Sequence, residues 1–248
     1  MRRLVGSSVI FVVVFVFAAG LMAADSVVEG DKLYRQGGLE NYQKAIDLYE
    51  KALAENPKNY EASWKCARTY REYGNKAKTQ QVEGWKEICA KYGKAGMNMA
   101  AKAIELEPDK PEGHYYYGLS VGVYADGVSI FTALKEGLKD KTQTSFEKTY
   151  AIDKMFKEGG PMISLGRFWA VLPWPMRDRK KALQYYREYQ ETEYFADNME
   201  VHVYLAELLI EMGGKENKAE AKGYLEKAVT SEDTYYSDWA KRLMDKVK

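Results

Sequence analysis

The chain has 248 residues, with 37 Lys+Arg against 36 Asp+Glu, and is rich in tyrosine, which supplies 20 of them. A formal net charge of +1 gives no electrostatic case for nucleic acid or for a role across a general membrane surface. The only histidines, His114 and His202, form no HExxH, CxxC or phosphate-loop pattern, and two cysteines are too few for a disulfide framework.

The first element is a leader. Arg2 and Arg3 precede an apolar run from Val9 to Ala19, which closes on the small residues Ala18, Ala19, Gly20, Ala23 and Ala24. That order is expected of a signal peptide over residues 1–23, cleaved after Ala23 or Ala24 to give a periplasmic or secreted protein. The alternative is an uncleaved membrane anchor, because Leu4 to Ala24 approaches the ~20 residues needed to cross a bilayer. No cysteine stands at the junction, so no lipid anchor is expected. Cleavage removes Arg2 and Arg3, leaving 35 Lys+Arg (37 minus these two) against 36 Asp+Glu.

Residues 24–248 form a single repeat domain in this reading. The stretch KAIDLYEKALAENP (44–57) sets Ala45, Tyr49 and Ala52 on one helical stripe before Pro57. Small residues admit a close partner helix, the aromatic fills the gap, and proline ends the helix. The pattern returns at Gly96, Ala100 and Ala103 before Pro108, at Ala182, Tyr186 and Tyr189, and at Ala221, Leu225 and Ala228. Each copy follows a helix with a small residue at its closest approach: Gly30, Ala67, Gly118, Gly166 and Ala206. This is the hairpin of the tetratricopeptide repeat (TPR), spaced more widely than its ~34-residue period. Insertions explain the spacing. One lengthens the second hairpin between Asn75 and Ala95. Another places a short amphipathic helix at Ile130, Leu134 and Leu138. Gly159, Gly160 and Pro161 end one helix and start the next, Pro173, Trp174 and Pro175 stop that one, and Asp178 caps its successor. A last helix, from about Tyr235 to Val247, covers the open end. The fold class is therefore all-α, a right-handed stack of about five TPR-like hairpins with inserted helices and a C-terminal capping helix.

Such stacks bind along the wall made by their first helices, so a non-catalytic protein with no cofactor and no metal is expected. Trp64, Arg68 and Arg71 share one stripe of the second hairpin. Tyr115, with His114 beside it, lies on the matching stripe of the third, and Arg167 on that of the fourth. Aromatic faces and guanidinium forks suit a small amphipathic or anionic ligand. The competing reading packs the aromatics between hairpins, pairs the arginines with nearby Glu and ties His114 to a turn. Trp174, between two prolines, either plugs the groove or meets a partner. Cys66 and Cys89 fall on opposite arms of one hairpin turning near Asn75, which allows a cross-link or two buried, unpaired thiols.

The blocks GHYYYGLSVGVYADGVS from Gly113, GGPMISLGRFWAVLPW from Gly159, KKALQYYREY and VYLAELLIEMG resemble the periplasmic T-component proteins that accompany some TRAP (tripartite ATP-independent periplasmic) transporters. The resemblance spans about residues 27 to 230, and its most specific element is the Gly-Gly-Pro block with Leu165, Gly166 and Arg167. It implies a helical stack that can form homo-oligomers and that partners an extracytoplasmic solute-binding protein. In outline the chain is also similar to the regulator-of-microtubule-dynamics group. The alternative function is an envelope protein-assembly scaffold acting through TPR protein–protein interactions.

Overall fold

The structure, a computed structural model, describes residues 25–247, so the leader expected over residues 1–23 lies outside the described residues. Among the described residues there are twelve α-helices and no strand. The described residues form two compact units, divided in the chain between Ser145 and Phe146.

The first unit starts with α1 (25–36) and α2 (Leu39–Glu55). Between them Gly37 and Gly38 take φ of 69° and 85°, left-handed values that cost glycine least. Ala45, Ile46, Tyr49, Ala52 and Leu53 form the buried stripe of α2. Tyr49 lies against Gly30, where a β-carbon would come within 2.8 Å of the ring. Its hydroxyl donates to Asp31 Oδ1 at 2.7 Å. Asn59 accepts from the Ala62 amide at 3.0 Å and so starts α3 (Tyr60–Thr79), which packs on α4 (Trp85–Leu106).

The expected turn near Asn75 is corrected. Helix α3 continues to Thr79, and the chain reverses at residues 80–84, with Gln81 and Gly84 at positive φ. Gly74 is no helix stop, because Val123 occupies the space of its missing side chain: a β-carbon there would lie 2.5 Å from Val123 Cγ1. The insertion therefore lengthens both arms of the second hairpin.

Pro111 opens α5 (Pro111–Val128), where its missing amide hydrogen removes nothing. Helices α4 and α5 touch almost backbone to backbone. A β-carbon on Gly93 would stand 2.4 Å from the Tyr124 nitrogen, and one on Gly127 2.3 Å from the Ala90 nitrogen. The inserted amphipathic helix is present as α6 (Ile130–Lys135), with Ser129 accepting from the Thr132 amide at 3.2 Å. It ends before Leu138: Gly137 turns at φ 68°, and Leu138 heads α7 (Leu138–Ile152), which runs across the boundary between the units.

The second unit continues with α8 (Phe156–Val171), whose first residues Lys157, Glu158 and Gly159 are left-handed, so regular helix begins at Gly160 with Pro161 in its first turn. Gly166 brings α8 onto Tyr186, at 2.5 Å from a β-carbon placed there. Asp178 caps α9 (Arg179–Gln190) by accepting from the Lys181 amide at 2.9 Å. Asn198 caps α10 (Met199–Met212), which pairs with α11 (Lys215–Ala228). Helix α12 (Thr234–Met244) packs on both, burying Ala240 and Leu243. The core of this unit is built around Met162, Tyr186, Tyr189, Leu205, Leu209 and Leu225.

Candidate partner-binding surfaces

In the first unit the structure brings Trp64, Arg68, Arg71 and Tyr115 together on the side where α1, α3 and α5 adjoin. Trp64 stacks on Tyr116, centroids 5.9 Å apart and planes 4° from parallel, and Tyr115 meets Tyr116 edge-on at 5.4 Å. The Arg68 guanidinium lies 3.5 Å from the centre of the Tyr34 ring and 5.2 Å from that of Trp64. Its charge is answered by Asp31 at 3.5 Å, a carboxylate that also receives buried Lys65 and the Tyr49 hydroxyl. Burial pushes the Asp31 carboxyl up, but the Lys65 and Tyr49 hydrogen bonds and the nearby cations outweigh it and hold the group below its ordinary range. Arg71 bonds Glu72 at 2.5 Å. Burial and the Glu72 charge raise the Tyr34 hydroxyl to about 12, with Arg68 opposing them. The wall thus offers the half-buried rings of Trp64 and Tyr115, backed by buried Tyr116, with its guanidinium charges matched by carboxylates of its own.

His114 stands apart from that wall. Its Nε2 is 2.8 Å from the Pro108 carbonyl and ties α5 to the turn behind it. Cys66 and Cys89 are buried and unpaired. They do not share a height on the hairpin: with the reversal at residues 80–84, Cys89 sits opposite Gly74, whose carbonyl accepts from its Sγ at 3.3 Å, while Cys66 lies a further eight residues along α3.

In the second unit Arg167 repeats the device of Arg68. It bonds Glu207 at 2.6 Å, and its guanidinium lies 4.5 Å from the Tyr204 ring centre and 5.2 Å from that of Trp239. Trp174 does not plug a groove within its unit. It is 88% exposed in the loop between α8 and α9.

Sequence reasoning missed the partners of these arginines, Asp31 and Tyr34 in one unit and Glu207, Tyr204 and Trp239 in the other, and it missed Tyr116 under Trp64. A signal for the acids was present. Asp31, Arg68, Arg167 and Glu207 each directly follow the small residue of their hairpin, Gly30, Ala67, Gly166 and Ala206. Among the described residues no group of three or more His, Cys, Asp or Glu side chains is placed to hold a metal ion, and no helix is long and apolar enough to cross a membrane.

This architecture is similar to that of a crystal structure of TTC0263, a thermophilic TPR protein of Thermus thermophilus, at 20% identity and a TM-score of 0.57 over 91% of this chain and 98% of that one. A crystal structure of the MamA protein is similar at 15% identity and a TM-score of 0.52, over 92% and 94% of the two chains. The chain is thus an all-α helical-repeat protein of the tetratricopeptide type. Its residues 27–154 match the model of the regulator of microtubule dynamics protein 1-3 family, and the chain belongs to that family. No curated protein matches the sequence, and nothing in these comparisons connects it with the transporter T-components.

Proposed function

We propose that the protein is a non-catalytic scaffold that docks a partner protein on the aromatic wall of its first unit. The observation that carries this reading is the Trp64–Tyr116 stack with Tyr115 at its edge, on a surface whose arginines are already matched by Asp31 and Glu72. Such a wall favours apolar and aromatic side chains of a protein segment over a small anion, which would have to displace those carboxylates. The fold supports a protein-binding role, and the family's description, regulation of microtubule dynamics, names an activity exercised on a protein assembly. An accessory role beside a solute-binding protein is one specific form of the same reading.

Photo-crosslinking from position 115, followed by binding of the captured protein to purified variants, tests it. Trp64→Ala is expected to weaken that binding by about 30-fold, the effect of losing a central aromatic anchor. Capture of a solute-binding protein would favour the transporter role, and capture of an envelope or cytoskeletal assembly component the scaffold role. A partner bound equally well by wild type, Trp64→Ala and Tyr115→Ala would refute docking on this wall.

A further inference from the structure

The most exposed large apolar side chain among the described residues is Trp174, and its exposure is built into the loop. The turn is closed by the Met176 amide donating to the Pro173 carbonyl at 2.9 Å and the Asp178 amide to the Trp169 carbonyl at 3.2 Å. Arg177 fastens it from the side, through Nε to the Leu172 carbonyl at 2.8 Å and through its guanidinium to Glu211 at 2.9 Å. Leu172 below is buried. The polar groups of the loop therefore point inward, and prolines on both sides of Trp174 restrict the backbone that carries it. Val171, 39% exposed, adds apolar surface at the end of α8.

Cations follow Trp174 closely in the chain. Arg177 and Arg179 share a single carboxylate, Glu211, at 2.9 and 3.3 Å. Among the described residues Lys180 is exposed with no ion pair, and the one acid within this stretch, Asp178, is turned to the α9 amides as their cap. A protruding indole with Arg177, Arg179 and Lys180 three to six residues beyond it suits a bilayer interface: aromatic rings settle at the headgroup level, and Lys and Arg meet anionic lipid. A protein hot spot, in contrast, is ringed by a flat rim that excludes water, which a single projecting side chain does not supply. The same sequence carries an apolar run, Val9 to Ala19, of the kind that takes a chain to a membrane as leader or anchor.

We propose that the Pro173–Pro175 loop is an interfacial membrane contact, with Trp174 entering the headgroup region and Arg179 and Lys180 facing anionic lipid. The proposal is independent of the aromatic wall in the first unit.

The test uses the full chain with vesicles of phosphatidylcholine alone and of phosphatidylcholine with about one-third phosphatidylserine. The readout is the emission of wild type minus that of Trp174→Phe, which isolates this indole whether or not residues 9–19 also hold the lipid. On the serine-containing vesicles the difference spectrum is expected to shift to shorter wavelength and to be quenched by brominated lipid. Arg179→Glu with Lys180→Glu should lower partition onto those vesicles about tenfold and leave far-UV circular dichroism unchanged. A Trp174 emission that stays solvent-like on both vesicles overturns the proposal. Equal partition of wild type and the double variant onto the serine-containing vesicles overturns the cationic part.

Discussion

Replacing Gly93 with alanine sets two opposed effects against each other. In a helix interior the change should help by about 1 kcal/mol, because glycine loses more backbone entropy on folding. Against that, the new β-carbon would lie 2.4 Å from the Tyr124 nitrogen and 2.6 Å from its Cα. These are main-chain atoms in the middle of α5 and cannot rotate away. Restoring ordinary contact requires α4 and α5 to part by roughly 1 Å, a gap that forfeits up to about half of each facing dispersion contact. Forced overpacking costs about 1–3 kcal/mol, so a net loss of up to about 2 kcal/mol is expected once the helix gain is subtracted. Gly122, on the open side of α5, has nothing within 4 Å of the corresponding point. Gly122→Ala should therefore gain about 0.5–1 kcal/mol. With two compact units a single melting point would mix transitions, so the assay is hydrogen exchange resolved to the α4 and α5 amides. A Gly93→Ala protein whose amides are protected as well as, or better than, wild type would refute close packing of these helices.

Three further outcomes follow from buried groups. His202 is fully buried beside Phe195 and Tyr224, and burial, followed by the Lys227 charge, depresses its pKa below 6.5. Below pH 6.5 the unfolded chain binds a proton that the folded one refuses, so stability of the second unit should fall by up to about 1.4 kcal/mol per pH unit until the folded pKa is reached. His202→Leu should flatten urea midpoints between pH 7.5 and 5.5; an unchanged slope contradicts the assignment. Burial pushes the Cys66 thiol far up and that of Cys89 up to about 11, so both should label with a thiol reagent only as fast as the chain opens; labelling at the rate of free cysteine would place them at the surface. Asp31→Ala leaves Arg68 and mostly buried Lys65 without their shared carboxylate and should cost about 2–3 kcal/mol, a loss softened because Glu61 still meets Lys65. A change below about 0.5 kcal/mol in chemical denaturation would give the cluster only the weight of a solvated surface pair.

The helical hairpins were legible because the feature that builds them is local. A close approach demands a small residue facing a stripe of small and aromatic ones, and Gly30 against Tyr49 and Gly166 against Tyr186 are both written within single segments. The turn expected near Asn75 falls beyond Thr79 instead, and the glycine just before Asn75, Gly74, is a packing residue whose partner, Val123, stands 49 residues further along. The short helix at Ile130 was legible, whereas its end was not, because the periodicity from Ile130 through Leu134 to Leu138 passes over the left-handed Gly137. At the site, Trp64, Arg68 and Tyr115 do gather. The fate of the arginine charges was hidden because the answering acids, Asp31 and Glu207, stand 37 and 40 residues away on neighbouring hairpins.

That placement gives the paired arginines a structural meaning beyond charge balance. In a repeat stack a side chain on a first helix is answered only by the adjoining hairpin, so a charge at a fixed place tests whether neighbours are in register. Immediately after the small residue, the first unit carries Asp31 on α1 and Arg68 on α3, and the second carries Arg167 on α8 and Glu207 on α10. In each case opposite signs meet across the helix pair and the guanidinium is seated on a tyrosine of the same neighbour, Tyr34 or Tyr204. A shift of one helix by a single residue would turn the charge off the shared face and separate both contacts at once. On α5 the corresponding residue is Leu119, partly buried against the cluster that contains Trp64 and Tyr116. The charged pairing thus gives way to apolar packing where the aromatic wall begins. A partner that packs on the half-buried rings of Trp64 and Tyr115 meets an ion pair only at the Arg68 edge of the wall, which is the physical reason to expect recognition at α3 and α5 to be mainly apolar in character.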